Sequence, residues 1–81
     1  MNVDQIQALL EQTYPRAQVS VTTPDGVHFT AKVVTADFAG MSRIQRHRAV
    51  HAAIGPALGT DIHALSLTLR TPEEDAGAES P

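Results

Sequence analysis

The hydrophobic positions along the chain follow two different periods. Residues 3–13 carry apolar side chains at helical spacing, which predicts a helix that ends at Tyr14. Apolar and polar residues then alternate one by one over 17–23 and again over 27–35, as they do in strands with one buried face. The turn sequence PDG at 24–26 lies between these segments, so the pattern predicts a β-hairpin.

A second helix and a third strand follow the hairpin. Ser42 is the predicted N-cap of a helix that runs to about residue 54 and ends at the Gly-Pro pair at 55–56. Alternation resumes over 62–70 and predicts the third strand. The order αββαβ indicates an α+β sandwich in which helices pack on a three-stranded sheet. We expect residues 1–71 to form this domain and residues 72–81 to be an acidic, disordered tail.

The most basic segment of the chain, RIQRHRAVH from residue 43, lies in the second predicted helix. A helical wheel groups Ile44 with the later apolar residues and places His47 and His51 among them, facing the sheet or its margin. Arg46 and Arg48 flank this stripe on opposite sides. The two histidines have the spacing of helical zinc sites, but zinc peptidases place a glutamate where this chain has Arg48. A metal pair, a cationic face for nucleic acid, and a packing helix with a hydrogen-bonded His47 and solvated arginines all remain open.

Composition narrows the function classes. The 81 residues include no cysteine, which excludes disulfides, thiolate metal sites and cysteine nucleophiles within the chain. The net charge of −3 is unevenly spread, because residues 1–70 carry six basic against five acidic residues and residues 71–81 carry four acidic residues and no basic one. With no signal sequence and no long apolar run, we expect a cytoplasmic protein that does not enter membranes. Without a phosphate-binding glycine loop or a paired-carboxylate motif, we do not expect an enzyme.

Several short motifs occur together in one order along residues 3–74. They are DG-H-F in the hairpin, F-x-G after it, RHR in the helix, IHALSL in the last strand and TPE behind it. In this order and at these spacings the chain resembles the BolA family, and its short hairpin loop is similar to that of the acid-stress branch of bacterial BolA homologues. The family's fold is an αββαβ sandwich resembling a class II KH domain and followed by a C-terminal helix. We expect that helix to be short or absent here, because the chain turns to DAGAESP.

The resemblance implies a non-enzymatic partner of a monothiol glutaredoxin. In such heterodimers a [2Fe-2S] cluster is shared, with thiols from the glutaredoxin cysteine and from glutathione on one side and the BolA-like protein on the other. The residues that match the family's ligand positions are His63 in the last strand and His28 in the hairpin loop. The implied role is iron–sulfur cluster assembly, trafficking, or iron and stress signalling, with the free protein a monomer or weak homodimer that holds no cofactor alone.

The residue chemistry is compatible with a shared cluster. Imidazole in place of thiolate lowers the negative charge of a [2Fe-2S] centre and raises its potential, and a chain without cysteine needs thiols from a partner. The alternative function is a DNA-binding transcriptional regulator that uses the KH-like scaffold. Its nucleic-acid surface, or equally a surface for a protein partner, consists of Arg43, Arg46 and Arg48.

Overall fold

The computed structural model describes residues 2–58 and 64–78. The helices and strands in chain order are α1 (Val3–Thr13), β1 (Gln18–Thr22), β2 (Phe29–Val34), α2 (Arg43–Leu58), β3 (Leu65–Arg70) and α3 (Pro72–Ala78), with a 3₁₀ turn at Ala36–Phe38. The predicted α+β class and the order αββαβ are confirmed, and of the two alternatives for the C-terminal helix, short or absent, the structure has the short helix. In the described part of the chain, none of the helices has the length and apolar character needed to cross a membrane.

The sheet has the order β1-β2-β3 and combines two kinds of pairing. Strands β1 and β2 pair antiparallel, with Val21 opposite Ala31, as a hairpin requires. Strands β2 and β3 pair parallel, with Phe29 opposite Leu65, so the chain must cross over between them and does so through α2. The parallel register places the N-terminal ends of β2 and β3 side by side at one end of the sheet.

The core lies between one face of the sheet and helices α1 and α2. Alternate residues of β2, namely Phe29, Ala31 and Val33, are buried, as the period of two predicts. The other core residues are Ile6 and Leu10 of α1, Val21 of β1, Phe38 of the 3₁₀ turn, Val50 and Ile54 of α2, and Leu65 and Leu69 of β3. Because these side chains are aliphatic or phenylalanine, burial of apolar surface drives the packing of the sandwich.

Reciprocal caps begin helices α1 and α2. The Asn2 side chain accepts a hydrogen bond from the backbone N–H of Gln5, whose Oε1 accepts one from the backbone N–H of Asn2. Ser42 and Gln45 make the same pair of contacts at α2, which confirms Ser42 as the N-cap. These capping boxes satisfy backbone donors that have no partner within the helix.

Helix α2 ends later than the sequence suggests. The Gly55-Pro56 pair was expected to stop it, yet the helix continues to Leu58 with Pro56 inside its last turn. Proline has a φ angle that suits a helix, but its nitrogen cannot donate to the carbonyl oxygen of Ala52 and its ring crowds that carbonyl group, so the cost is confined to the last turn. Since Ala52 is exposed, water can solvate the carbonyl group that lost its donor.

The buried face of α2 also differs from the helical wheel. Arg46, Val50 and Ile54, each four residues apart, are buried. Ile44 is 61% exposed, His51 is exposed and His47 is half-buried, so the expectation that Ile44 and both histidines face the sheet or its margin is wrong for Ile44 and His51. The wheel placed Arg46 beside an apolar stripe that included Ile44, whereas the buried face includes Arg46, whose guanidinium has ion-pair and carbonyl partners.

The expected disorder of residues 72–81 is wrong for 72–78, which form α3. Thr71 and Glu74 make a capping box, in which Thr71 Oγ1 accepts from the Glu74 N–H and Glu74 Oε1 accepts from the Thr71 N–H. Asp75 forms ion pairs with Lys32 of β2 at 2.7 Å and Arg70 of β3 at 3.3 Å. The helix is thus tied to the body by carboxylates, a mode of attachment that a search for apolar residues does not detect.

Candidate functional site

Residues 23–28, between β1 and β2, form a loop held by its own polar groups. Thr23 Oγ1 donates to the carbonyl oxygen of His28 at 2.6 Å and accepts from the N–H of Gly26 at 2.9 Å. Gly26 has a φ of 77°, a left-handed conformation that glycine adopts without steric cost. The loop is longer than the predicted turn, because β2 begins at Phe29 and Val27 is 61% exposed.

Asp25 organises the part of this loop that leads into β2. Its Oδ1 accepts from the backbone N–H groups of Val27 at 2.9 Å and His28 at 2.8 Å. Its Oδ2 lies 2.9 Å from Nδ1 of the His28 ring. The side-chain hydrogen bond with His28, followed by the two backbone hydrogen bonds, holds the pKa of the Asp25 carboxyl well below its usual range.

His28 presents its ring to solvent. The side chain is 72% exposed, and only Nδ1 has a hydrogen-bond partner among the described residues. Metal-binding histidines commonly have this arrangement, in which one ring nitrogen is held by a carboxylate and the other ligates. The described ranges contain no cluster of three or more side chains able to hold a metal ion. Within them His28 therefore offers a single ligand, and a centre built here requires other donors.

The second predicted ligand, His63, lies outside the described residues. Its neighbour in the chain, Ala64, directly precedes β3, and His28 directly precedes β2. Phe29 and Leu65 are paired in the parallel register, so His28 and Ala64 each precede a strand at the same end of the sheet.

Arg46 is buried, which contradicts its predicted place in an exposed surface for nucleic acid or a partner. Both terminal nitrogens of its guanidinium bind the two carboxylate oxygens of Glu74. The same guanidinium donates to the carbonyl oxygen of Leu69 at 3.1 Å and, through Nε, to that of Met41 at 3.0 Å. It also lies 5.8 Å from the centre of the Phe38 ring. Arg46 therefore joins α2, β3 and α3 and has a structural role.

Arg43 and Arg48 are exposed, as the predicted surface requires. Arg43 also lines a cleft between α2 and β3 together with the half-buried His47 and Arg70. The rings of His47 and His51 are 6.3 Å apart between centroids, and no third metal ligand accompanies them among residues 2–58 and 64–78. The structure thus separates the three predicted arginines into two exposed residues and one buried residue.

Two residues that matter for these sites were missed in the sequence. Asp25 was interpreted only as a turn residue, although aspartate commonly accepts from backbone N–H groups two or three residues later and here its second oxygen reaches His28. Glu74 was assigned to the tail, although Thr71-x-x-Glu74 has the spacing of a capping box. Both patterns are visible in the sequence, because each carboxylate lies three residues after or before the residue that it binds.

The comparisons with known proteins agree with the fold. A family model described as BolA-like protein matches residues 6–74. BolA-like protein 1 of Homo sapiens is 49% identical over 47 residues, which cover 58% of this chain and 34% of the human protein. The DNA-binding transcriptional regulator BolA of Haemophilus influenzae is 43% identical over 47 residues, which cover 58% of this chain and 46% of that protein. The match spans about a third of the human relative's length.

A solved structure extends the similarity to nearly the whole fold. The structure of a BolA protein homologue from Coxiella burnetii superposes with a TM-score of 0.79 and 36% sequence identity, covering 94% of this chain and 97% of that one. The family consists in general of regulator or partner proteins rather than enzymes. From its matched sequence, its strand order and its solved relatives, the chain belongs to the BolA-like protein family.

Proposed function

We propose that this protein is a non-enzymatic partner of a monothiol glutaredoxin and shares a [2Fe-2S] cluster with it. The observation that carries the proposal is the His28 side chain, which is exposed and held at Nδ1 by Asp25 while Nε2 has no partner among the described residues. In this proposal His28 and His63 ligate iron on one side of the cluster. The glutaredoxin cysteine and the thiol of glutathione ligate on the other side.

The donor set of the chain fits a shared cluster better than one that it binds alone. Iron–sulfur clusters are held mainly by thiolates, and this chain has no cysteine. Histidine ligands are compatible with a [2Fe-2S] centre, as they are in Rieske proteins, and they raise its reduction potential. A partner that brings two thiols would complete the ligand set. When bound, the cluster would supply one-electron chemistry or be the cargo passed on, and the residues of this chain would hold and orient it.

The sheet gives a physical reason to pair His28 with His63. The chain enters β2 and β3 at the same end of the sheet, because Phe29 pairs with Leu65 in a parallel register. His28 is the residue before Phe29, and His63 is bonded to Ala64, which precedes Leu65. We propose that the heterodimer acts in the cytoplasm in iron–sulfur cluster assembly, trafficking, or iron and stress signalling. The free protein would be a monomer or weak homodimer without a cofactor.

Reconstitution with a purified monothiol glutaredoxin, glutathione, iron and sulfide tests the proposal. We expect a 1:1 heterodimer with visible absorption and circular dichroism that differ from those of the glutaredoxin cluster alone. Replacing His28 or His63 with alanine should change the visible spectrum, whereas His51→Ala should not, since His51 is an exposed histidine on α2. If no coloured heterodimer forms, or if His63→Ala leaves the spectrum unchanged, the proposed ligand set is wrong.

A second candidate function is nucleic-acid binding. Two observations favour it: the relative from Haemophilus influenzae bears the name of a DNA-binding regulator, and Arg43 and Arg48 are exposed on α2. Two phosphate contacts would give a slope of about −1.8 for the logarithm of the binding constant against the logarithm of the salt concentration, which predicts weak binding with a shallow salt dependence. Because Arg46 is paired with Glu74, it does not add a third contact.

Fluorescence anisotropy with a labelled duplex at several salt concentrations distinguishes this function from the first one. Binding that weakens with salt and is abolished by the double substitution Arg43→Glu and Arg48→Glu would support it. His28→Ala is the matched control, because it changes the cluster ligand and leaves both arginines in place. Absence of binding at low salt would exclude DNA as a ligand.

A further inference from the structure

We propose that Asp25 is a positioning residue that fixes the tautomer of His28 and thereby leaves Nε2 free to ligate iron. The inference rests on the proposed function, because it assigns a role to Asp25 through His28. The carboxylate is anchored independently of any metal, since Oδ1 already accepts from the backbone N–H groups of Val27 and His28. This anchoring directs Oδ2 at Nδ1 of the ring, 2.9 Å away.

The chemistry of the contact determines where the imidazole proton lies. An ionised carboxylate only accepts hydrogen bonds, so Nδ1 of His28 must be the donor. A neutral imidazole has one N–H, and a proton on Nδ1 leaves the lone pair on Nε2. Metals bind a lone pair, so Asp25 prepares the solvent-facing nitrogen of His28 for ligation before any cluster arrives.

The rest of the loop keeps this geometry in place. Thr23 Oγ1 links the N–H of Gly26 to the carbonyl oxygen of His28, which closes the loop around Asp25. Thr23 touches neither the carboxylate nor the ring in these contacts. Loop closure and tautomer selection are thus carried by different side chains, and substitutions can separate the two effects.

Asp25→Asn is the direct test. The asparagine carbonyl oxygen can still accept from both backbone N–H groups, but its NH₂ group would now donate to Nδ1 of His28. The imidazole proton would then move to Nε2, the atom proposed to bind iron. Thr23→Val is the matched control, because it removes both hydrogen bonds of the hydroxyl group and keeps the carboxylate.

Nitrogen-15 NMR of the protein without a cluster reads the tautomer directly, at a pH where the histidines are neutral. We expect His28 to be protonated at Nδ1 in the wild-type protein and in Thr23→Val, and at Nε2 in Asp25→Asn, with His51 unchanged as an internal reference. Titration of each variant into cluster-loaded glutaredoxin should then show an affinity about 10–100-fold lower for Asp25→Asn, and a smaller loss for Thr23→Val.

The outcomes separate this inference from the proposed function. A wild-type His28 protonated at Nε2 would overturn the inference. So would an affinity loss in Thr23→Val as large as in Asp25→Asn, because the effect would then come from loop closure. If His28→Ala weakens the complex and Asp25→Asn does not, Asp25 has no positioning role and the proposed function stands. If His28→Ala also has no effect, ligation by His28 fails and the inference fails with it.

Discussion

Replacing Gly26 with alanine tests the loop geometry on which the candidate site depends. Gly26 has a φ of 77°, and apart from Gly26 itself and its two chain neighbours no heavy atom lies within 4 Å of the position that a Cβ atom would take. The cost of alanine therefore comes from its own backbone and includes no clash with the rest of the protein. A non-glycine residue in the left-handed region costs about 1–2 kcal/mol. For a domain of this size, each 1 kcal/mol lowers the midpoint of thermal unfolding by about 4–8 °C.

Gly40→Ala is a matched control for this substitution. Gly40 has a φ of 79° and equally open surroundings, but it lies in the turn before α2. Both variants should lose the same 1–2 kcal/mol of unfolding free energy within error, about the cost of one left-handed alanine. Only Gly26→Ala should also shift the His28 ring resonances, because relief of strain there moves the N–H that binds Thr23.

Urea denaturation and thermal unfolding, followed by circular dichroism, measure the free energy in both variants. Gly26→Asn should recover part of the loss, because asparagine tolerates the left-handed region better than alanine does. If Gly26→Ala were neutral while Gly40→Ala was destabilising, the loop would not have the conformation described. The contacts between Asp25 and His28 would then lose their structural basis.

Further predictions concern the ion pair and the core. Arg46→Ala should lower the thermal midpoint more than Arg43→Ala, measured by calorimetry, because it strips a carboxylate and two carbonyl oxygens of their donor; equal effects would contradict the structural role. The hydrogen bond with Arg46 lowers the pKa of Glu74 from its ordinary value of 4.5 to about 2. The pair thus stabilises the fold above about pH 4.5 and loses this effect as the pH falls towards 2, so between these values Glu74→Gln should show a smaller decrease of the midpoint than the wild-type protein. Ile54→Ala should lower the free energy of unfolding in urea by about 2–5 kcal/mol because the side chain is fully buried. Ile44→Ala should change it by no more than about 0.5 kcal/mol because Ile44 is exposed. A larger loss for Ile44→Ala than for Ile54→Ala would contradict the buried face of α2 described above.

The sequence was sufficient for the order of the elements, for a physical reason. Alternation in β2 reports a face that meets the core, and Phe29, Ala31 and Val33 are indeed buried there. The capping residue Ser42 marks the start of α2 because unpaired backbone N–H groups need an acceptor. These signals are local, so they need no knowledge of the tertiary structure. The end of α2 was harder to predict from the sequence, because a helix can tolerate a proline in its last turn when water solvates the carbonyl group that lost its donor.

The part that the sequence did not predict depends on charges that meet across the fold. Arg46 and Glu74 are 28 residues apart, and nothing in either segment shows that they will be neighbours. The helical wheel counted Ile44 in the apolar stripe, so Arg46 fell at the side of the predicted buried face and was assigned to the surface. Residues 71–74 have the pattern of a helix start, but alanines are the only apolar residues that follow, and this argued against a stable helix. The two errors, an exposed Arg46 and a disordered segment at 72–78, have one cause. The ion pair with Glu74 of α3 offsets the free-energy cost of burying the Arg46 charge.

The burial of Arg46 changes how the segment RIQRHRAVH should be tested for function. A buried guanidinium must keep its partners, so substituting Arg46 destabilises the link between α2, β3 and α3 and would weaken any activity, whether or not Arg46 touches a ligand. Loss of DNA binding in an Arg46 variant is therefore no evidence for a DNA contact. Arg43 and Arg48 are exposed and can be exchanged without this effect, so only these two arginines can separate a nucleic-acid surface from a structural defect.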